Sequence, residues 1–329
     1  MMDSPTGLGE VVVKSEDDLS LDCGCTPAER SMKEYLTKGI VIVDKVSGPT
    51  SHQVTVWVRQ IVGFKKAGHS GTLDPKVTGL LPVALGSATK VVGALLSSPK
   101  RYVGIMRVHG EVSKKQLNSL FNELTGEIYQ KPPLKSAVKR ELRKRTIYSL
   151  DLIERDGRYA VFDVSCQAGT YIRKLIHDGG LILGCGANMQ ELRRTKVALF
   201  NEDDCVILQD LKDAFVDYTE NGVEAGLREI VHPMEEMVAH LKKIWVKNSA
   251  VGAIACGAKL MAPGVTKLHD SIKAGEGIAI MTGKGELLAL AKALNSSDEI
   301  LNLNRGVIAK PSRVIIEADV YPRIWGDNK

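Results

Sequence analysis

The sequence is short of most features that announce a function by themselves. Its six cysteines, at 23, 25, 166, 185, 205 and 256, contain one close pair, Cys23 and Cys25, and no second pair to complete a zinc site. Scattered single thiols suit a reducing compartment, where they act as small apolar residues rather than as disulfides. No run approaches the roughly 18 apolar residues of a membrane span. The acidic, polar start M-M-D-S-P-T-G-L-G-E is unlike a signal peptide, so a soluble protein of the cell interior, without a membrane partner, is expected. Repeats and low-complexity tracts are missing. Cofactor signals are missing too: Gly283-Lys284 has Ile278 where a P-loop needs glycine and Gly285 where it needs Ser or Thr, and no G-x-G-x-x-G, H-E-x-x-H or G-x-S-x-G is present.

What is present is enough chain for two domains of unequal size. Of the 329 residues, 44% are apolar and 25% charged, which supports an ordinary buried core and excludes disordered, collagen-like and coiled-coil readings. The net charge of +5 conceals an uneven distribution. Residues 1–35 carry 8 acids and 3 bases, and 201–240 carry 11 acids and 2 bases. Residues 36–200 instead hold 26 bases against 12 acids, and 241–329 hold 13 against 8. A basic body between acidic segments fits a polyanionic partner, since neutralised phosphates release counterions. A solvated lysine-rich surface explains the charge equally well.

Along the chain, 1–35 lacks periodicity and reads as an arm. The β-branched run 39–45 predicts a strand. Val54, Trp57, Val58, Ile61 and Val62 predict a helix with one buried face, capped by Thr50 or Ser51. Alternation at 101–109 predicts a half-exposed strand, and Ser113 with Gln116 forms a capping box opening a helix through Leu117, Leu120, Phe121 and Leu124. Strand and helix follow again at 160–166 and 170–183, giving a mixed α/β domain. Acidic helical sequence at 210–240 contains the boundary. Beyond it, five short strand patterns, K-I-W-V-K, G-I-A-I-M-T, L-L-A-L-A, G-V-I-A-K and R-V-I-I-E-A, predict a small β-rich barrel or sandwich.

The densest stretch is A-G-H-S-G-T-L-D-P-K-V-T-G-L-L-P-V-A-L-G-S-A-T-K at 67–90. Gly68, Gly71, Gly79 and Pro75 shape a tight loop that presents one acid, Asp74. A lone carboxylate on such a loop suits covalent catalysis if a cation keeps it ionised. Spacing alone favours a plainer role, Asp74 capping a turn before proline.

This stretch resembles the catalytic motif of the TruB family of RNA pseudouridine synthases, and Ser70, Thr72, Lys76 and Val77 resemble its dyskerin branch. G-I-V-I-V-D-K-V-S-G-P-T-S-H at 39–52, P-P-L-K-S-A-V-K-R-E-L-R-K-R at 132–145 and G-T-Y-I-R-K-L-I-H-D at 169–178 resemble further family motifs. G-A-K-L-M-A-P-G-V at 257–265 resembles the start of a PUA domain, and the likeness spans about 36–320.

The resemblance implies an α/β (α+β) mixed-sheet catalytic domain at 36–240, a PUA β-barrel at 241–323, and an arm, 1–35, packed on the PUA domain. It implies isomerisation of uridine to pseudouridine in rRNA or tRNA, without metal, nucleotide or redox cofactor. Asp74 matches the nucleophile, Tyr102 the base-stacking tyrosine and Arg173 the arginine paired with the carboxylate. His69, Tyr171 and Leu192 match substrate-pocket positions, with a loop histidine and two core residues as the plain alternatives. Lys131–Arg145 holds seven bases and one acid. Lys139, Arg140, Arg143, Lys144 and Arg145 are there expected to form a mobile RNA-binding thumb, and Lys259 to lie in the RNA-binding PUA surface. The implied partners are an H/ACA guide RNA, a zinc-ribbon-like protein, a small β-barrel protein and a kink-turn-binding ribosomal-type protein, in the cytoplasm of an archaeal cell. A stand-alone tRNA enzyme and a non-catalytic PUA RNA-binding protein are the alternatives.

Overall fold

The computed structural model describes residues 8–16, 23–132 and 139–322. It divides into two compact units, one of residues 41–83 and 93–230, the other of 1–40, 84–92 and 231–329. Among the described residues no helix is long and apolar enough to cross a membrane.

The first unit is built on a mixed sheet. Its strands run in the order Gly39–Lys45, Thr78–Leu85, Ala187–Val197, Lys100–Val108, Tyr159–Cys166, Arg143–Asp156 and Gly126–Gln130. Thr78–Leu85 and Ala187–Val197 pair in parallel, with Thr78 opposite Arg193 and Gly79 opposite Arg194. From Ala187–Val197 to Gly126–Gln130 every pairing is antiparallel. Helices Lys114–Leu124 and Ile172–Ile182 add Leu117, Leu120, Phe121, Ile172, Leu175 and Ile176 to a core that includes Met106, Phe162 and Val164 from the strands. Phe121 meets Phe162 edge to face, with ring centroids 6.4 Å apart.

Local signals account for much of this. Thr50 caps helix Ser51–Ile61 in a capping box with Gln53, and Ser113 caps Lys114–Leu124 with Gln116. The buried stripe of the first helix is Ser51, Val54, Thr55 and Val58, whereas Trp57 is 42% exposed, contrary to expectation. At 100° per residue the small Ser51 and Thr55 fall in line with the valines, and Trp57 falls outside that line. Helix Ile172–Ile182 starts from Tyr171 rather than Thr170, whose hydroxyl donates to the Gln167 carbonyl at 2.7 Å.

The basic stretch also departs from expectation. Arg143, Lys144 and Arg145 are the first residues of a 14-residue strand, Arg143–Asp156, that pairs with Gly126–Gln130. Lys139 and Arg140 precede that strand, while 133–138 of the expected thumb, like 1–7 and 17–22 of the expected arm, lie outside the described residues.

In the second unit the strand order is Val11–Val13, Val265–His269, Lys243–Val246, Gly277–Met281, Leu287–Ala293, Val307–Val314 and Leu260–Met261. Ile244, Val246, Leu268, Ile278, Ile280, Leu288 and Ile308 form its core with helix residues Val251, Ile254 and Ile300. Two strands expected at 306–310 and 313–318 are one strand, Val307–Val314; a bulge at Leu290/Ala291 accommodates Pro311, which has no N–H to donate. Val11–Val13 adds antiparallel to Val265–His269, with Val11 opposite His269. The Lys284 ammonium donates to the Cys23 and Gly24 carbonyls, each at 2.9 Å. Val11–Val13 and the Cys23–Gly24 turn are thereby fixed on this sheet.

Candidate active site

Asp74 lies in an irregular segment between two buried anchors, Leu73 and Val77, each 3% exposed. Two side chains from the 45–51 region hold this segment from either side. The Ser51 hydroxyl accepts from the Leu73 N–H at 2.8 Å and donates to the Leu73 carbonyl at 3.1 Å. The buried Lys45 ammonium donates to the carbonyls of Val46, Pro75 and Val77 at 2.8–2.9 Å. The Gly48 N–H adds a bond to the Pro75 carbonyl at 2.9 Å, and the Val77 N–H one to the Asp74 carbonyl at 2.9 Å. Backbone polar groups around Asp74 are thus committed, and its carboxylate stays half-exposed. Burial pushes the Lys45 ammonium below the ordinary lysine range, while the Asp74 charge opposes that shift.

Arg173, in the first turn of helix Ile172–Ile182, donates from Nη2 to the Asp74 Oδ2. Both side chains keep more than half of their solvent exposure. A pair so exposed contributes little to stability, and what it fixes is geometry: Arg173 holds one oxygen of the Asp74 carboxylate.

Tyr102 occupies strand Lys100–Val108, opposite Arg194 on one side and Val164 on the other. Its phenol is pushed above the ordinary tyrosine range, mainly by burial, with the Arg194 charge opposing and Asp74 adding to the rise. Arg194, 1% exposed, connects the surroundings: Nε donates to the Leu80 carbonyl at 2.8 Å and Nη2 to the Gly71 carbonyl at 3.1 Å. Gly71 and Gly79 bracket the loop at φ +81 and +93, a region that favours glycine. A Cβ on Gly79 would stand 2.3 Å from the Arg194 carbonyl oxygen. Lys100, also buried, bonds the carbonyls of Leu95, Leu96 and Ser98, and burial holds its ammonium down at about 8.

The other expected positions are more dispersed. His69 is half-buried, its Nδ1 has no partner among the described residues, and burial together with Arg194 and His52 lowers its imidazole. Tyr171 is half-buried, and its N–H and C=O both bond the Gln130 side chain. Leu192 is a core residue, 7% exposed, in one cluster with Leu73, Val77 and Phe162. Among the basic residues, Lys139 pairs with Glu141 and Lys144 with Glu127. Arg140 donates to the Pro132 carbonyl at 3.3 Å, and Arg143 to the Lys139 carbonyl at 3.2 Å. Arg145 donates to the Lys144 carbonyl at 2.8 Å, and its Nε is buried with no partner among the described residues. Lys259 is exposed in the other unit, just before strand Leu260–Met261. No group of three or more potential metal ligands occurs among the described residues.

Sequence reasoning missed Lys45, Ser51, Lys100, Arg194 and Gln130. One signal was available. A lysine at the end of a mostly apolar strand run, as in V-I-V-D-K, has to find acceptors if it is buried. Nothing local marks the other four.

Comparison with known proteins gives this geometry a lineage. Residues 59–115 and 107–172 match the TruB family pseudouridylate synthase N-terminal domain, 173–239 the tRNA pseudouridylate synthase B C-terminal domain, 242–315 the PUA domain and 6–55 the DKCLD (NUC011) domain. A relative from Pyrobaculum aerophilum, named "Probable tRNA pseudouridine synthase B", is 48% identical over 316 residues, 96% of this chain and 95% of its own. The chain belongs to the TruB family of pseudouridine synthases. A TruB-family relative of the same name from Methanosarcina barkeri is 52% identical over 302 residues, 92% of this chain and 89% of its own. The structure described as a "Cbf5-Nop10-Gar1 Complex" contains a chain 46% identical at TM-score 0.91, covering 95% of this chain and 96% of that one. One described as "H/ACA RNP bound to a substrate RNA containing 2'-deoxyuridine" is 44% identical at TM-score 0.90, covering 96% and 97%. As a TruB-family member the protein is an RNA pseudouridine synthase, with a mixed α/β catalytic domain followed by a PUA domain.

Proposed function

We propose that the protein converts uridine to pseudouridine with Asp74 as nucleophile, Tyr102 as the ring on which the flipped uracil stacks, and Arg173 as the group that orients the carboxylate. The observation that carries this assignment is the Arg173–Asp74 pair on a loop whose backbone is clamped by Ser51 and Lys45. Isomerisation breaks the bond from the ribose C1′ to N1, turns the base and joins C1′ to C5; the C5 proton leaves and N1 gains one. A carboxylate can assist the cleavage, and a stacking ring can hold the detached base in a substrate taken out of its helix. Arg143, Arg145 and the neighbouring Lys139, Arg140 and Lys144 would follow the RNA backbone, and Lys259 would contribute in the PUA domain. His69 and Tyr171 would border the base, and Leu192 would support that pocket from the core.

The reading extends to an RNA-guided enzyme. One relative of known structure is described as a Cbf5-Nop10-Gar1 complex and another as an H/ACA RNP with substrate RNA, which supports a guide RNA and small protein partners for this chain as well, in the cytoplasm of an archaeal cell. A second reading, direct action on tRNA, is favoured by the name that the curated relatives carry. Primer extension on candidate RNAs, with and without guide RNA and partner proteins, separates the two. The guided reading expects rRNA product only with the guide; rRNA product at an undiminished rate without it would overturn that reading.

A further inference from the structure

The basic hairpin is fastened to the loop before Arg173 at two places, one on each strand. On Arg143–Asp156, the Thr146 N–H donates to the Gln167 side chain at 3.1 Å and the Gln167 N–H to the Thr146 carbonyl at 2.8 Å. On Gly126–Gln130, the last residue holds Tyr171. Gln130 Oε1 accepts from the Tyr171 N–H at 3.0 Å, and Nε2 donates to the Tyr171 carbonyl at 3.2 Å. The side chain thus pairs with one residue through a donor and an acceptor, as a neighbouring strand would.

Three features make this more than local satisfaction. Gln130 is 3% exposed, so water cannot replace it. Tyr171 is the N-cap of helix Ile172–Ile182 with no side-chain cap of its own, and its carbonyl also accepts the helix's Leu175 N–H at 3.0 Å. Arg173 follows two residues later, so the orientation of this helix start sets the direction of its guanidinium. Finally, Gln130 lies directly opposite Arg143 in the hairpin. Contact of RNA with the basic strand therefore meets the residue that fixes the catalytic helix.

We infer that Gln130 is a positioning residue: its carboxamide sets the Tyr171 backbone, and through it the approach of Arg173 to Asp74. This rests on the reading of Asp74 and Arg173 as the reacting pair. Loss of the clamp acts on turnover rather than on RNA affinity, because Gln130 offers almost no surface to RNA.

The test compares Gln130→Leu and Gln130→Glu with wild type in the full chain, measuring single-turnover pseudouridine formation at saturating RNA and RNA affinity separately. Gln130→Leu is expected to slow turnover about tenfold with affinity within about twofold. Gln130→Glu is a rescue within one protein: its ionised carboxylate repels the Tyr171 carbonyl, whereas its protonated carboxyl again presents one donor and one acceptor. Its rate relative to wild type at each pH is expected to rise as pH falls from 8 to 5.5. Arg143, opposite in the hairpin, and Lys131, next in the chain, favour the ionised form and lower the pH at which the rise begins, while the wild-type ratio removes the titrations common to both proteins. Wild-type turnover in Gln130→Leu, a loss confined to affinity, or a flat pH ratio in Gln130→Glu would each overturn the inference. Asp74→Asn in the same assay separates the two levels. Product persisting there removes the site reading and this inference with it, while product lost there beside normal Gln130→Leu removes only the role of Gln130.

Discussion

Replacing Arg194 by methionine removes the group that ties the Gly71 end of the Asp74 loop to Leu80 of strand Thr78–Leu85. The guanidinium serves two carbonyls, Leu80 at 2.8 Å and Gly71 at 3.1 Å. Each acceptor left unpaired in the interior costs about 1–3 kcal/mol. Part of that is returned, because a buried guanidinium is itself expensive, as the downward shift caused by its desolvation indicates. The net expectation is a loss of about 2–4 kcal/mol for Arg194→Met. Arg194→Lys keeps the charge with a single nitrogen in place of the fork, and is expected to lose about half as much. The Gly71 end of the Asp74 loop without its anchor is free to shift, and misplacement of a reacting group by about 1 Å can cost about 100-fold in turnover. Urea unfolding measures the first quantity, and single-turnover pseudouridine formation at saturating RNA the second. Arg194→Met with stability within about 1 kcal/mol of wild type and an unchanged rate would refute the reasoning.

Three other comparisons probe separate parts of the account. Gly79→Ala places a Cβ 2.3 Å from the Arg194 carbonyl at φ +93 and should cost at least about 2 kcal/mol in urea unfolding, more than Gly71→Ala, whose Cβ would meet the Arg194 Nη1 at 3.3 Å and the Lys100 Cε at 4.0 Å; equal losses would contradict the steric argument. Lys100, held at about 8 when folded, binds its proton more weakly than in the unfolded chain. Its burial penalty is full below pH 8 and is relieved as pH rises toward 10.4, so wild type should gain up to about 3 kcal/mol relative to Lys100→Met over that window, and parallel unfolding curves would contradict the shift. Alanine at Arg140, Arg143, Lys144 and Arg145 together should flatten the salt dependence of RNA affinity by about one logarithmic unit for each phosphate that is no longer neutralised; an unchanged slope would remove this strand from the RNA surface.

The parts of this protein legible in the sequence are those decided by neighbours in the chain. Thr50 with Gln53 and Ser113 with Gln116 mark their helix starts because capping is settled within four residues. The loop around Asp74 is visible because glycine and proline constrain it locally, and its identity follows from a long motif resemblance. Less legible are features created by pairing across the sheet. Strands Gly126–Gln130 and Arg143–Asp156 are hidden by charge, since half of each faces solvent and the first three residues of the second are all basic. Lys45, Arg194 and Gln130 acquire their roles from carbonyls 30, 114 and 41 residues away. Trp57 misleads for the opposite reason. Its size suggests burial, but the small Ser51 and Thr55 permit the close approach that buries the other face of that helix.

The central claim is that Asp74 performs the chemistry on RNA that other residues bind. Pseudouridine formation and RNA affinity measured side by side for wild type and Asp74→Asn test it most directly, since the substitution keeps the shape of the side chain and removes only its charge. The account predicts RNA binding within about twofold of wild type and no detectable pseudouridine in the variant. Pseudouridine formed by Asp74→Asn at a rate near that of wild type would contradict it.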